Sequence, residues 1–252
     1  MYEFIVLFGA GIFAGLVNSM AGGGALILYP ILFSLGLSPI MTNAVIATSI
    51  WPGSLSSAYG YRKYIKKIPP YYFLLLIPCL IGSLIGASIL KSTPDHYFKS
   101  IVPWLVLMAV VLLSLQPRIH NFLKTRHKKS KKHLSTNLLI IAVAILFTSI
   151  YGGYFGAGYG IIMLALLGFT KLTDIHQMNG FKNLAGVCIC LVASIYFIYY
   201  GLVSWHFLPP ILIGTVIGGY LGASYSHILP ANIVRRIIIV IGIIVSAVLF
   251  VK

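Results

Sequence analysis

Residues 151–160 read Tyr151-Gly152-Gly153-Tyr154-Phe155-Gly156-Ala157-Gly158-Tyr159-Gly160, and they interrupt an apolar run that extends from about 137 to 170. Glycine is costly inside a helix, because it loses more conformational freedom on folding than any other residue. Such a dense glycine cluster predicts that the backbone leaves helical geometry here. The apolar residues that follow, Ile161 to Leu167, can form a short second helix.

A similar interruption lies in the first half of the chain, inside an apolar run from about 2 to 36. Residues 15–24 read Gly15-Leu16-Val17-Asn18-Ser19-Met20-Ala21-Gly22-Gly23-Gly24, and the apolar stretch from Ala25 to Leu35 follows. One constant shift in residue number aligns the two halves: Gly22 and Gly24 fall on Gly158 and Gly160, Asn43 falls on Asn179, Gly82-x-x-x-Gly86-Ala87-Ser88 falls on Gly218-x-x-x-Gly222-Ala223-Ser224, and Pro94 falls on Pro230. The sequence therefore predicts two copies of one unit.

The composition is that of a membrane protein. Of the 252 residues, 59% are hydrophobic and 8% are charged, whereas soluble domains carry roughly 25% charged residues. This composition excludes a soluble enzyme fold. Since a helical crossing needs about 20 apolar residues, we expect an all-α polytopic protein that crosses the cell membrane several times. The apolar runs lie at about 2–36, 40–60, 70–90, 97–116, 137–170, 175–200, 207–226 and 231–251.

A basic segment separates the two halves. The chain has 18 Lys and Arg residues against 3 acidic residues, and a dense group of these cations lies between Arg118 and His133. The positive-inside rule predicts that this segment is cytoplasmic. The predicted divisions are a first membrane repeat at 1–116, a basic cytoplasmic linker at 117–136 and a second membrane repeat at 137–252.

The other cations predict how the two repeats are oriented. If each glycine-broken run folds as a hairpin of two half-helices, each repeat consists of that hairpin plus three transmembrane helices, and the repeats are inverted. Most cations then lie on the cytoplasmic side: Arg62, Lys63, Lys66, Lys67, the linker, Lys171, Arg235 and Arg236. A single crossing by each broken run would move several of these to the outer side, against the rule. Inverted repeats with interrupted helices are typical of secondary transporters.

The two breaks are predicted to line a substrate cavity. Irregular backbone at membrane depth is tolerated only where protein or a water-filled cavity satisfies its polar groups. The short helix after each break directs free N–H groups and its positive end toward that cavity, which suits an anion. The candidate glycines are Gly22, Gly23, Gly24, Gly156, Gly158 and Gly160. Helix packing through small residues is the alternative, and it is the favoured interpretation of Gly82-x-x-x-Gly86 and Gly218-x-x-x-Gly222.

Polar residues in the runs after the breaks complete the candidate substrate site: Asn43, Thr48, Ser49, Asn179, Lys182 and Asn183. Positions 179, 182 and 183 share one helix face. A lysine in a membrane helix costs roughly 2.5–3.5 kcal/mol to insert, so Lys182 needs a compensating interaction. Binding an anion would supply it, whereas snorkelling to the interface is the alternative. Asp174 could pair with Lys171 or with Lys182.

Other classes of chemistry find little support in the sequence. No predicted crossing has a carboxylate well inside it, and no intramembrane pair of His and acidic residues could bind a metal. We therefore predict no enzymatic activity, no metal site and no cofactor. Nucleic acid is not an expected partner, because so little of the chain lies outside the bilayer. The expected partners are a small anionic substrate and the lipid bilayer, and the sequence leaves a homo-oligomer open.

The motifs at the two breaks resemble those of a known family. Gly11-x-x-x-Gly15 leading to Gly22-Gly23-Gly24, then Pro30 and Thr48-Ser49, resembles the first repeat of the sulfite exporter TauE/SafE family. The pattern Tyr151-Gly152-Gly153-x-x-Gly156-Ala157-Gly158-x-Gly160, followed by Asn179-x-x-Lys182-Asn183, is similar to the second repeat of that family.

The resemblance implies a permease for small, often sulfur-containing anions such as sulfite, sulfoacetate or thiosulfate, which works by alternating access. It also implies that the glycine clusters and the adjacent Asn and Lys residues line the substrate path. Ile46 and Ala47 stand where the second half has Lys182 and Asn183, so we expect the site to be charged mainly from the second half. An anion channel, or a membrane partner or assembly subunit without transport activity, remains an alternative.

Overall fold

The computed structural model describes residues 2–129, 138–172 and 174–226, together with residues 239, 240, 242, 243 and 246. In this part of the chain the order of helices is α1 (Tyr2–Met20), α2 (Ala25–Ser34), α3 (Pro39–Gly60), α4 (Arg62–Ile65), a 3-10 helix (Pro70–Leu75), α5 (Leu76–Ser92), α6 (Asp95–Lys129), α7 (Leu138–Tyr154), α8 (Tyr159–Leu167), α9 (Ile175–Tyr199) and α10 (Leu208–Ser224). The prediction of an all-α protein is confirmed.

Both glycine clusters end a helix, as predicted. A short gap separates α1 from α2, and a gap of the same length separates α7 from α8. Gly22 and Gly158 have φ angles of 80° and 83° in these two gaps, a region that residues with a Cβ rarely adopt. In each broken run the helix before the break is longer than the helix after it, whereas two half-helices were expected. α1 has 19 residues, so at about 1.5 Å per residue it can span most of a bilayer core alone.

The first break turns the chain back along α1. A Cβ placed on Gly24 would meet the backbone oxygen of Ala14 and would lie 2.9 Å from the Cβ of Asn18. The short helix α2 therefore begins beside the middle of α1 and not beyond its end. With 10 residues, α2 is long enough to return the chain by about 15 Å before α3 begins.

Contacts with α10 give the direction of α1. Gly11 lies against Ile211, where a Cβ would be 2.6 Å from the backbone oxygen, and Gly15 lies against the backbone of Thr215. Because rising residue numbers on α1 meet rising numbers on α10, the two helices are parallel. Their close approach requires small residues, since any Cβ on these glycines would overlap backbone atoms.

α3 also packs parallel to α10. Gly53 lies against Thr215, and Gly60 lies against Ala223 further along. Since α1 and α3 are both parallel to α10, α2 must carry the chain back between them. The first broken run thus begins and ends at the same end of the helix bundle, which is the geometry expected of a hairpin.

The two halves of the chain exchange helices. α10 from the second half packs on α1 and α3, whereas α5 from the first half packs on α7 and α9. The glycines at 82 and 86 lie against the backbone of α7, as those at 218 and 222 lie against α1. Because the shift that aligns the two halves relates α5 to α10, the two exchanged contacts are equivalent. The assignment of both motifs to helix packing agrees with these contacts.

The equivalent helices α3 and α9 run in opposite directions. Gly186 on α9 lies next to Ser54, whereas Gly180, nearer the start of α9, lies next to Tyr61 at the end of α3. When the matching helices of two copies of one unit are antiparallel, the copies are related by a two-fold axis perpendicular to the helices. This arrangement supports the inverted-repeat interpretation, which stays a prediction with respect to the membrane.

Four helices in the described residues are long and apolar enough to cross a membrane: Tyr2–Met20, Pro70–Ser92, Asp95–Leu115 and Ile175–Tyr199. The backbone of α6 continues as a helix to Lys129, so the segment predicted as a linker begins as a helical extension. The rest of that linker, at 130–137, lies outside the described residues. So do Pro230, Arg235 and Arg236 and most of the last predicted run, 231–251.

Substituting Gly218 by alanine is expected to destabilise the contact between α1 and α10. A Cβ at this position would overlap the backbone of Ile12, and overpacking of this kind costs about 1–3 kcal/mol. The measurement is the thermal unfolding midpoint of purified protein in detergent. Gly9→Ala on α1 is the matched control, because nothing lies within 4 Å of a Cβ there. Equal midpoints for the two variants would contradict the packing described above.

Candidate functional site

The two glycine breaks touch each other. A Cβ on Gly22 would lie 2.8 Å from the Cα of Gly160, and a Cβ on Gly160 would lie 2.9 Å from the Cα of Gly22. A side chain at either position cannot approach backbone so closely, so this contact requires glycine on both sides. The two clusters, which the sequence predicts to line one cavity, therefore lie in contact between the halves of the chain.

Lys182 extends from α9 onto the end of α1. Its Nζ donates hydrogen bonds of 2.8 Å to the backbone oxygens of both Asn18 and Ser19. These carbonyl groups belong to the last turn of α1, where C=O groups have no partner within the helix. The Cδ of Lys182 packs 3.2 Å from where a Cβ on Gly160 would stand. The residue is 1% exposed, so in this structure the ammonium does not snorkel to an interface.

Asn183 bonds to the same part of α1. Its Nδ2 donates to the backbone oxygen of Ser19 at 3.1 Å. Three buried polar atoms around this point have no hydrogen-bond partner within the described residues: the Oδ1 atoms of Asn179 and Asn183, and the Oγ of Ser19. An unpaired buried polar group costs about 1–3 kcal/mol. Asn179 and Asn183, which are on the same helix as Lys182, therefore each have an amide oxygen that is not used in this conformation.

The end of α7 is bonded in an equivalent way. Asn43 on α3 donates its Nδ2 to the backbone oxygen of Tyr154 at 3.1 Å. In the alignment of the two halves, Tyr154 corresponds to Asn18. The last turn of each interrupted helix therefore accepts a hydrogen bond from a side chain of the opposite half. The donor to α1 is the charged ammonium of Lys182, and the donor to α7 is the neutral amide of Asn43. This difference is consistent with a site charged mainly from the second half.

Two of the predicted residues serve α3 itself. The hydroxyls of Thr48 and Ser49 are buried and donate to carbonyl groups one turn earlier in α3, at 2.8 and 3.0 Å. The backbone oxygen of Ser49 in turn accepts a hydrogen bond of 2.6 Å from the Oγ1 of Thr215 on α10. In this conformation both hydroxyls donate within α3, so neither is available to a substrate. The hydrogen bond that the backbone of Ser49 accepts from Thr215 joins α3 to α10.

The remaining predicted glycines differ in what they do. Gly24 packs on Ala14, and a Cβ on Gly158 would lie 3.2 Å from the Cβ of Ala109. Gly156 has a φ angle of 78° within the second turn. At Gly23, in contrast, a Cβ would meet nothing nearer than 3.8 Å. The structure therefore gives a steric reason for glycine at positions 22, 24, 158 and 160, but not at position 23.

The sequence analysis missed the groups that bind Lys182. Backbone oxygens carry no side-chain signal, so the two carbonyl groups at the end of α1 could not be identified by residue type. Asn18 and Ser19 are nevertheless polar residues directly before a helix break, and that placement was an available signal. The Nδ2 of Asn18 also donates to the Oγ of Ser54 at 3.3 Å, which fixes the end of α1 to α3.

The charge of Lys182 is not balanced by a carboxylate in the described part of the chain. Asp174 instead caps α9, where its Oδ1 accepts a hydrogen bond of 2.8 Å from the backbone N–H of His176. The partial negative charge at the end of α1 is the interaction that stabilises the ammonium here. Among the residues that the structure describes, no group of three or more His, Cys, Asp or Glu side chains could hold a metal ion.

Comparisons with known proteins find one family model and several membrane transporters that this chain is similar to. The family model "Sulfite exporter TauE/SafE" matches residues 7–249. A "Probable membrane transporter protein" of Haemophilus influenzae is 26% identical over 250 residues, which is 96% of this chain and 92% of the relative. The "Probable membrane transporter protein YfcA" of Escherichia coli K12 is 25% identical, over 96% of this chain and 87% of the relative.

A more distant relative is the "Probable membrane transporter protein YdhB" of Bacillus subtilis, which is 22% identical over 94% of this chain and 95% of its own length. No solved structure shows a significant match. The relatives and the family model together support a membrane transporter. Since the family model matches nearly the whole chain, this protein belongs to the sulfite exporter TauE/SafE family.

Proposed function

We propose that this protein is a secondary transporter of small anions, with sulfur oxyanions and organosulfonates such as sulfite, sulfoacetate and thiosulfate as its substrates. It works as a multi-pass protein of the cell membrane and has no enzymatic activity of its own. The observation that carries the proposal is the contact between the two helix breaks at Gly22 and Gly160, with a buried lysine directly beside it.

The electrostatics of this point favour an anion. Gly160 is the second residue of α8, so the first N–H groups of that helix, which have no acceptor within it, lie next to the Lys182 side chain. The positive end of the α8 dipole and the ammonium therefore act on the same region. A small oxyanion bound there would accept hydrogen bonds from both. The two glycines bring the backbone of both breaks into contact at this region.

Alternating access is the mechanism that fits the hydrogen bonds between the two halves of the chain. Lys182 bonds the second half to the end of α1, and Asn43 bonds the first half to the end of α7. The five residues that make these bonds, Asn18, Ser19, Asn43, Tyr154 and Lys182, are buried or half-buried, so the conformation is closed around the site. Opening toward either side requires one half to rock against the other, which breaks or rearranges these bonds.

The distribution of cations supports the predicted orientation. Arg62, Lys63, Lys66 and Lys67 follow the end of α3, and the ring of Tyr64 stacks on His176 at the start of α9 with 4.8 Å between centroids. The backbone N–H of Lys171 bonds to the hydroxyl of Tyr72 at the same end of the bundle. Lys91 lies over the ring of Tyr200 at the opposite end. We assign the cation-rich end to the cytoplasm.

The substrate class is tested by uptake of labelled sulfite into proteoliposomes in oxygen-free buffer. Unlabelled thiosulfate, sulfoacetate, sulfate and acetate are added separately as competitors. We expect saturable uptake that thiosulfate and sulfoacetate suppress and that acetate does not. Uptake proportional to concentration, without competition, would replace the carrier by an anion channel. No uptake of any of these anions by well-reconstituted protein would favour a partner or assembly subunit.

A further inference from the structure

The carbonyl groups that bind Lys182 form a site of the kind that binds cations in transporters. In interrupted transporter helices, the C-terminal ends of half-helices and unwound backbone carbonyls coordinate the coupling Na⁺ or H⁺. Here two such oxygens, of Asn18 and Ser19, bind an ammonium at 2.8 Å each. The ammonium belongs to the chain itself, so the position is already filled by a positive charge.

We propose that the Lys182 ammonium takes the place of a coupling cation at the end of α1, so that transport needs no Na⁺ at this position. The inference rests on the proposed transport function, because only a transporter has a site for a cation whose binding is coupled to substrate movement. It implies that removing the lysine side chain exposes a site for a small monovalent cation.

The neighbouring groups support this assignment. A cation without its own counter-ion needs several oxygens and a negative potential, and both are present. Asn183, whose Oδ1 is buried without a partner in the described residues, donates its Nδ2 to the backbone oxygen of Ser19, one of the two carbonyl groups that bind Lys182. The negative end of the α1 dipole supplies the potential. The three acidic residues of the chain are absent from this set: Asp174 caps α9, Glu3 lies 4.0 Å from His206 and Asp95 begins α6.

Oxygen ligands of this kind suit a hard monovalent ion. Backbone and amide oxygens replace the hydration shell of alkali cations in selective sites. An alanine at position 182 would remove one hydrogen bond from each of the carbonyl groups of Asn18 and Ser19, which would keep only their bonds from the backbone N–H of Gly22 and the Nδ2 of Asn183. The second lone pair of each buried oxygen would then be unsatisfied, which is costly. A bound Na⁺ with residual water would satisfy them, and its binding energy would stabilise the folded state.

The experiment measures thermal unfolding midpoints in detergent, in sodium, potassium and choline chloride at equal concentration and without any sulfur anion. We expect Lys182→Ala to be stabilised in a saturable way by sodium over choline, by about 5 °C. The wild type and Lys182→Gln should show no such difference, because the ammonium and the longer amide occupy the site. Lys171→Ala, which removes an exposed lysine, controls for a general effect of charge.

The proposal is overturned if the midpoint of Lys182→Ala is the same in sodium, potassium and choline, or if Lys182→Gln responds as the alanine variant does. Lys182→Ser is the second small variant, with the same expected response. Should neither small variant be recovered folded, sulfite uptake by the wild type decides: equal uptake in sodium and choline supports the proposal, and a requirement for sodium overturns it. Since the unfolding measurement uses no transported anion, its outcome is independent of the substrate test described under the proposed function.

Discussion

Lys182→Ala in a sodium-free choline medium is expected to reduce sulfite uptake by roughly 10- to 100-fold while the protein still inserts into the membrane. The ammonium bonds the end of α1 and is the buried positive charge beside the helix-break contact. Truncating it removes a charge-assisted interaction worth about 1.5–3 kcal/mol and takes one donor away from each of two buried carbonyl groups. Both effects act on the proposed substrate site, so they affect binding and closure together.

The control for this prediction is Lys171→Ala. Lys171 is an exposed cation on the segment before α9, so its loss changes the net charge by the same amount without touching the site. Membrane insertion and yield of both variants are checked by detergent extraction and gel filtration. Uptake by Lys182→Ala at the wild-type rate, with a wild-type elution profile, would remove Lys182 from the transport mechanism.

Gly22→Ala is expected to abolish transport and to lower stability by about 3 kcal/mol, from two causes that add. A left-handed φ costs an L-residue roughly 1–2 kcal/mol, and Gly22 has a φ of 80°. A Cβ there would also lie 2.8 Å from the Cα of Gly160, and such overpacking costs about 1–3 kcal/mol. The two breaks would be pushed apart at the point where the site forms.

Two variants separate these causes. Gly36 has a positive φ of 89°, and nothing lies within 4 Å of a Cβ added there. Gly36→Ala should therefore lower stability through backbone strain alone and leave transport intact. Gly23→Ala, next in the chain to Gly22, places a Cβ no closer than 3.8 Å to any atom and should be nearly neutral. The account of the contact between the breaks fails if Gly22→Ala transports sulfite as well as Gly36→Ala does.

The positions of the two breaks could be predicted from the sequence, and the duplication stays a prediction that the equivalent contacts of α5 and α10 support. Glycine clusters and hydropathy are local signals, and aligning one half of the chain on the other needs only the order of residues. The lengths of the helices on either side of each break could not be predicted from the sequence. An apolar run shows where a break lies, but residues before it can form a half-helix or, as α1 does, a helix of 19 residues.

The exchange of α5 and α10 between the halves was also not accessible from sequence. The motif at Gly82 and Gly86 indicates a close helix contact, but it does not say which helix will be the partner. That partner is α7, from the other half. Such pairings depend on contacts between residues far apart in the chain, which a pattern read along a single sequence does not contain.

For the candidate site, the side chains were easier to predict than their acceptors. Lys182 and Asn183 stand out as polar residues in an apolar run, and both donate hydrogen bonds from α9 to a backbone oxygen at the end of α1. Thr48 and Ser49 were equally conspicuous, yet their hydroxyls bond within α3. A hydroxyl in a helix can always use the carbonyl group of the previous turn, so polarity alone does not distinguish a binding residue from a self-satisfied one.

Counterflow tests the central claim, a carrier with one site between two halves, most directly. Proteoliposomes are loaded with unlabelled sulfite, diluted into a trace of labelled sulfite, and compared with empty vesicles. The account predicts a transient accumulation of label above its equilibrium level in the loaded vesicles, which saturates with internal sulfite and is lost in Lys182→Ala in choline medium. Label that enters loaded and empty vesicles at the same rate, without a transient excess, would contradict it.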